Sequence, residues 1–298
     1  MNPKRYIPHL LALMCVLIWG VSFINTKVLL ERELSSVEII IYRFVITYIG
    51  LLALSRFRVR FFGWKDEALM ALGGLTGGAI YFIAQNVALE LTLVSDVAVL
   101  IAVNPLLTIL LAAIILRDER FTRLKFLGSL VAFAGVGLLT FHDGFVWGNG
   151  VIGDLLALLA AFSWAVYSIL LKRLNNKYTS LEISRKTFFY GLLTAIPFVL
   201  REGTFSPVGV LKDPVVIFNL VFLAVMCGMV AFIFWGMVTK HIGAIQANNY
   251  LYLDPVVSMV AAYLYYGETV GAVGLAGCVL ILSGIIIVQR QQLPQVAQ

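Results

Sequence analysis

Long apolar runs broken by short polar stretches alternate from one end of the chain to the other. Runs of about 18 or more apolar-dominated residues are long enough to cross a bilayer as helices. They predict helices at about 7–29, 36–56, 67–89, 93–116, 124–141, 151–172, 181–200, 215–238, 244–266 and 269–289. The longest connections, residues 142–150 and 201–214, are rich in Gly, Pro, Asp and Asn and leave no room for a soluble domain. The expected fold is an all-α integral membrane protein with ten transmembrane helices. Lys4-Arg5 ahead of the first run resembles a leader, but the run continues past Trp19 without a small-x-small site, so the first helix is expected to be retained.

One run is interrupted by Gln246-Ala247-Asn248-Asn249-Tyr250-Leu251-Tyr252-Leu253-Asp254-Pro255. Its centre lies near Pro255, which puts the Asp254 carboxyl close to a bilayer midplane, where a charged Asp costs about 2.5–3.5 kcal/mol. Pro255 has no N–H, so the Leu251 carbonyl loses its helical partner and the helix is expected to bend or open there. Asn104-Pro105, near the middle of the fourth run, repeats the theme.

Composition narrows the class. Only 13% of the 298 residues are charged, against about 25% in ordinary globular domains. The net charge of +6 is carried in short clusters between apolar runs, the distribution of membrane orientation signals rather than of a nucleic-acid-binding surface. Lys4, Arg5, Arg56, Arg58, Arg60, Lys65, Arg117, Arg120, Arg123, Lys125, Lys172, Arg173, Lys177, Arg185, Lys186, Lys240 and Arg290 all fall at the side of the N-terminus. The other side has Arg32, Arg201, Lys212 and Lys27, so both termini are expected to be cytoplasmic. Cys15, Cys227 and Cys278 lie in apolar runs without CxxC spacing and read as packed side chains.

The chain also repeats itself. Trp19 and Lys27 have the separation of Trp164 and Lys172. Asn104-Pro105, Glu119, Gly128 and Gly135 run parallel to Asp254-Pro255, Glu268, Gly277 and Gly284, with one extra residue between Pro105 and Glu119. The copies, 1–145 and 146–298, hold five helices each, and an odd number inverts the second in the membrane. Matching Pro breaks are then expected to meet at the interface of an inverted repeat.

Trp19 and Lys27 in the first helix, Arg43 in the second, and Asp118-Glu119-Arg120-Phe121-Thr122 ahead of Gly128 and Gly135, echoed from Pro255 through Gly267-Glu268 to Gly284, resemble the EamA-type transporters of the drug/metabolite transporter superfamily. Two positions depart from that pattern: Asp118, where the family usually has Gly before Glu, and Asp254, more acidic than the usual residue before its Pro. The resemblance covers nearly the whole chain. It implies an inner-membrane permease, often an exporter of amino acids or other small metabolites.

Candidate site residues follow from polar and aromatic groups at depth. Gln246, Tyr250 and Asp254 recur every four residues and are expected on one, cavity-lining face, whereas Asn248 and Tyr252 point elsewhere and suit interhelical hydrogen bonding. In the third helix Tyr81 with Gln85, and Phe82 with Asn86, put an aromatic beside an amide, a pairing suited to a small zwitterion or heterocycle. Gly73, Gly74, Gly77 and Gly78 form two overlapping GxxxG patterns that read as close helix packing. Asn104, Trp19, Ser22 and Thr26 in the first copy, with Trp164, Tyr167 and Trp235 in the second, complete the candidate cavity. Arg43, costly at its depth, is expected to pair with a carboxylate or carbonyls and to be the best-placed counter-ion for Asp254, itself expected to titrate during transport. Glu119 and Glu268 read as helix-end caps.

His9, His142 and His241 are scattered, so no metal site is expected, and G-x-x-x-x-G-K-[ST] is absent, so neither is ATP-driven pumping. No acid pair or Ser/His/Asp set shares a helix face. The reading is a cofactor-free, non-enzymatic secondary transporter for a small molecule, embedded in lipid and open to proton coupling, sufficient as a monomer though able to dimerise through glycine faces. A passive channel, or an intramembrane enzyme acting on lipid-like substrates, is the alternative.

Overall fold

The computed structural model describes residues 6–91, 97, 100–116, 122–140, 150–202, 206, 209–266 and 271–290. Among them no strand occurs. In chain order the helices are α1 (Ile7–Glu31), α2 (Ser36–Leu54), α3 (Trp64–Leu91), α4 (Asn104–Ile115), α5 (Arg123–Thr140), α6 (Val151–Leu174), α7 (Ser180–Glu202), α8 (Pro214–Ile242), α9 (residues 244–266) and α10 (Ala272–Gln289). Six of these, α1, α2, α3, α6, α8 and α10, are each long and apolar enough to cross a bilayer. Leu, Ile and Val side chains such as Leu10, Ile114 and Leu264 face outward, as expected of a surface solvated by lipid. The chain is a multi-pass membrane protein.

Local chemistry sets the helix ends. Ser35 and Glu38 form a reciprocal capping box at α2, Ser35 Oγ accepting from Glu38 N at 3.2 Å and Glu38 Oε2 from Ser35 N at 2.9 Å. Thr179 and Glu182 repeat that box ahead of α7, at 3.3 and 3.0 Å. Gly243 turns the chain from α8 into α9 at φ 87°, a backbone conformation that favours glycine.

Corresponding distortions occur along the two halves. α3 passes through a π-helical stretch at Leu75–Ile80, and α8 through one at Phe222–Val230. α4 starts at Asn104 with Pro105 in its first turn. α9 opens before Pro255 as the sequence predicts: helix Ala244–Asn249 tightens into a 3₁₀ segment, Tyr250–Leu253, before resuming as Asp254–Tyr266.

Packing brings the two sequence copies together. α5 lies along α10 so closely that a Cβ on Gly135 would stand 2.6 Å from the Gly277 carbonyl oxygen, and one on Gly128 would stand 3.0 Å from that of Gly284. α2 packs against α7 and α8, α3 against α6 and α7, and α1 against α8 and the second part of α9. The α3 glycines behave as packing positions: Gly74 and Gly78 abut Gly191 of α7, and Gly77 lies on the Tyr167 ring of α6. Ion pairs tie opposite ends of the bundle. Arg32, at the end of α1, holds Asp213 ahead of α8, and Lys177, beyond the end of α6, holds Asp66 of α3 at 3.0 Å.

Candidate functional site

Aromatic rings from both halves meet in the core. Trp19 (α1) packs edge-on against Trp164 (α6), with centroids 5.4 Å apart, and against Trp235 (α8) at 5.0 Å. Trp164 in turn touches Tyr81 of α3 at 4.9 Å and Tyr167 at 5.3 Å. Phe232 of α8 lies within 6.0 Å of Trp19, Trp164 and Tyr167. Phe44 and Phe188, at matching places in α2 and α7, stack edge-on at 5.0 Å and pack on Phe82 and Phe232 respectively.

Hydrogen bonds fix two of the three indoles, while Trp235 Nε1 is buried without a partner. Trp19 Nε1 donates to the Cys227 carbonyl at 3.2 Å, and Trp164 Nε1 donates to Asn248 Oδ1 at 3.2 Å. Asn248 also accepts from Ser168 Oγ at 3.2 Å, the interhelical bonding expected of it, and donates within α9 to the Ala244 carbonyl. Tyr252 is fully buried among Ala132, Val136 and Ile281, anchoring the 3₁₀ segment on the α5–α10 seam. Ser129 of α5 donates to Asn249 Oδ1 at 3.1 Å from the same side.

Beside the rings lie polar groups that the protein does not satisfy. Arg43 is 6% exposed, and its guanidinium sits 4.2 Å above the Phe82 ring. Among the described residues it joins no carboxylate, and its Nε has no hydrogen-bond partner. The expected pairing of Arg43 is thus not made, and neither is an Arg43–Asp254 ion pair. Asp254 Oδ1 and Gln85 Oε1 are also buried without partners. The Asp254 backbone lies against α1, where a Cβ on Gly20 would stand 3.3 Å from its carbonyl oxygen. Orphaned polar groups of this kind cost roughly 1–3 kcal/mol each, and more when charged.

Of the sequence candidates, Trp19, Tyr81, Trp164, Tyr167 and Trp235 therefore form one cluster; Asp254 lies against Gly20, next in the chain to Trp19, and Gln85 and buried Asn86 stand further along α3. Ser22 turns back onto the Trp19 carbonyl at 2.6 Å. Three candidates lie apart from the cluster's polar groups. Asn104 accepts from Thr108 at 3.1 Å, Gln246 is buried with its carbonyl held by Gln289, and Tyr250 bonds His9 near the start of α1 at 2.7 Å. The expected single face of Gln246, Tyr250 and Asp254 is broken because the 3₁₀ segment advances about 120° per residue instead of 100°. Phe232 and His9 were not singled out as site residues. The repeat could have found Phe232, which stands in α8 at the position corresponding to Phe82 of α3. Glu119 and Glu268, read as caps, lie outside the described residues.

Residues 7–141 and 151–290 each match the EamA-like transporter family. The chain belongs to this family. Among its relatives, an uncharacterised transporter of Archaeoglobus fulgidus is 27% identical across 98% of this chain and 99% of its own length. A probable terminal-alkyne amino-acid exporter of Streptantibioticus cattleyicolor is 27% identical, covering 77% and 75% of the two chains. A probable amino-acid metabolite efflux pump of Salmonella typhimurium is 25% identical over 93% of each. A solved crystal structure, 21% identical, aligns with a TM-score of 0.77 over 96% of this chain and 98% of its own; at that identity the likeness concerns the fold alone.

Proposed function

We propose that the chain is a secondary transporter that exports a small metabolite, an amino acid or a related compound, by alternating access around the aromatic cluster. Ten transmembrane helices form two inverted five-helix repeats, 1–145 and 146–298, in the cell's inner membrane, with both termini cytoplasmic by the Lys and Arg distribution. One chain contains both repeats and suffices for transport. Asp254 links the cycle to protons.

Reciprocal contacts support the inverted repeat. Gly128 faces Gly284 as Gly135 faces Gly277; Phe44 stacks on Phe82 as Phe188 does on Phe232; Trp19 touches its own counterpart, Trp164. A two-fold axis produces this pattern, in which residue i meets j and the counterpart of j meets the counterpart of i. The observation that carries the transport reading is the set of buried, unpartnered groups, Arg43 Nε, Gln85 Oε1 and Asp254 Oδ1, beside aromatics drawn from both halves. In the names of two relatives the cargo is an amino acid or its metabolite.

The test is counterflow in proteoliposomes holding purified protein, with labelled amino acids and unlabelled excess inside. Saturable uptake with overshoot is expected, and Asp254→Asn is expected to change its rate and pH dependence. Flux that never saturates and shows no overshoot refutes the carrier; a folded Asp254→Asn protein with an unaltered pH profile removes proton coupling from that residue.

A further inference from the structure

We propose that the segment joining α2 to α3, with the first residues of α3, is a docking face for the headgroups of anionic phospholipids. The 19 residues of α2 rise about 28 Å at 1.5 Å each, close to the thickness of a hydrocarbon core, so the chain beyond Leu54 emerges at headgroup level. Arg56 and Phe57 take left-handed backbone conformations there, with φ 52° and 56°, and the chain then runs without helix or strand from Arg58 to Gly63.

This segment turns its apolar groups outward. Phe57, Val59, Phe61 and Trp64 are between 57% and 84% exposed, and they continue the outward-facing surface of Ile49 and Leu54 at the end of α2. Such a patch beside a membrane span belongs at the acyl boundary, where Trp and other rings are favoured. Arg56, Arg58, Arg60 and Lys65 are interleaved with it and exposed. Among the described residues none of the four joins a carboxylate. The two acids next in the chain are already taken: Asp66 by Lys177 and Tyr178, and Glu67 by Lys186 at 2.7 Å and by Tyr190. Unanswered guanidinium groups alternating with apolar side chains match a boundary between acyl chains and phosphates, the phosphate oxygens accepting from the guanidinium forks. Zwitterionic headgroups bring their own cation and answer this row less well than a net anionic one.

The second copy holds the face in place from behind. Arg185 of α7 donates to Ser55 Oγ at 2.8 Å and to the Arg58 carbonyl, so it fixes the backbone and leaves the Arg58 guanidinium out of the tie. The Phe62 ring packs on Tyr178 at 4.4 Å, and Phe62 N donates to Glu67 Oε1 at 3.1 Å. A face ordered in this way loses little further freedom when a headgroup docks. The inference needs a chain that crosses a bilayer and is independent of what that chain carries.

The test reconstitutes the full-length protein in vesicles of phosphatidylcholine with phosphatidylglycerol as the minor lipid. It reads the quenching of Trp64 by brominated acyl chains, taken as the difference between the parent and Trp64→Phe. Bromine on the phosphatidylglycerol is expected to quench about fivefold more strongly than bromine on an equal amount of the phosphatidylcholine in the same mixture, the enrichment that one basic residue near an anionic surface supplies. Salt near 1 M, where the Debye length falls to about 3 Å, is expected to remove most of that preference without any substitution. The triple variant Arg56→Gln, Arg58→Gln and Arg60→Gln is expected to lose it while both lipids still quench Trp64. Equal quenching in the parent would leave a plain aromatic anchor and overturn the headgroup site. Trp64 unquenched by either lipid would put the segment in water, and a preference that survives the salt or the triple variant would belong to other groups; each overturns the proposal.

Discussion

Two glycines on α5, Gly135 and Gly137, separate packing from helix propensity with a single methyl group. At Gly135 that methyl would lie 2.6 Å from the Gly277 oxygen, 2.7 Å from Ile281 N and 2.9 Å from Leu280 Cβ of α10. Ordinary contact begins near 3.4 Å, and the nearest atoms are backbone, so relief requires the helices to separate by roughly 0.7 Å along a seam of small residues. Overpacking of that order costs about 1–3 kcal/mol, from which better helix propensity returns up to about 1 kcal/mol. At Gly137 nothing lies within 4 Å, so only the propensity gain remains. Gly135→Ala is therefore expected to destabilise by about 1–2 kcal/mol and Gly137→Ala to stabilise by about 0.5–1 kcal/mol. At 2–4 °C per kcal/mol, the two unfolding temperatures move in opposite directions from the parent and end roughly 3–12 °C apart. Thermal unfolding of the purified proteins in detergent, followed by tryptophan fluorescence, reads this directly. Equal shifts, or a larger loss at Gly137, would show that α5 and α10 are not in backbone contact and would remove the main support for the reciprocal seam.

Asn248→Ala strips the acceptor from Trp164 and Ser168, and with membrane hydrogen bonds averaging about 0.6 kcal/mol it is expected to lose about 1–2 kcal/mol in the same assay. Ser283→Ala, whose exposed hydroxyl only bonds back to the Val279 carbonyl, is the control that should barely move. Tyr178, between α6 and α7, donates to Asp66 at 2.6 Å, and that bond pushes its phenol up to about 12. The bond requires the neutral phenol, so its contribution is complete below pH 10, the ordinary tyrosine range, and disappears as pH rises through about 12. Ultraviolet titration of the parent minus Tyr178→Phe should show one tyrosine ionising near 12; ionisation near 10 would mean the bond to Asp66 is not kept in solution.

Six of the expected spans were legible because an apolar run long enough to cross a bilayer has few other uses, and the breaks at Asn104-Pro105 and Asp254-Pro255 because proline removes a donor wherever it stands. The facing of α9 was not, since a 3₁₀ segment changes the rotation per residue without changing composition. The partner of Arg43 was misread for a different reason. The cost of a buried charge argues that something must answer it, and the sequence held a carboxylate at similar depth; the structure keeps the two apart. Contacts such as Tyr178 with Asp66, or His9 with Tyr250, join residues far apart in the chain through ordinary short connections, and no local pattern announces them. The cluster of Trp19, Tyr81, Trp164, Tyr167 and Trp235 was legible in membership but not in shape: aromatics at depth invite the guess, and only packing shows which rings touch.

The same comparison separates what the repeat supplies from what it does not. Helix caps, π-helical stretches, proline breaks, the glycine seam and the phenylalanine ladder recur in both copies, so duplication supplies the scaffold. The ionisable groups Arg43 and Asp254 do not recur. Arg43, eight residues past its capping serine, corresponds to Thr187, eight past Thr179, and Asp254 corresponds to Asn104. Counting back from the two prolines, Gln85 corresponds to Trp235 and Tyr81 to Ala231. Arg43 and Asp254 come from different copies, at positions where the partner copy is neutral. A residue off the shared seam can change in one copy without disturbing the contacts that hold the two copies together, so a duplicated fold acquires unlike polar groups at such positions while its glycine and phenylalanine contacts stay paired.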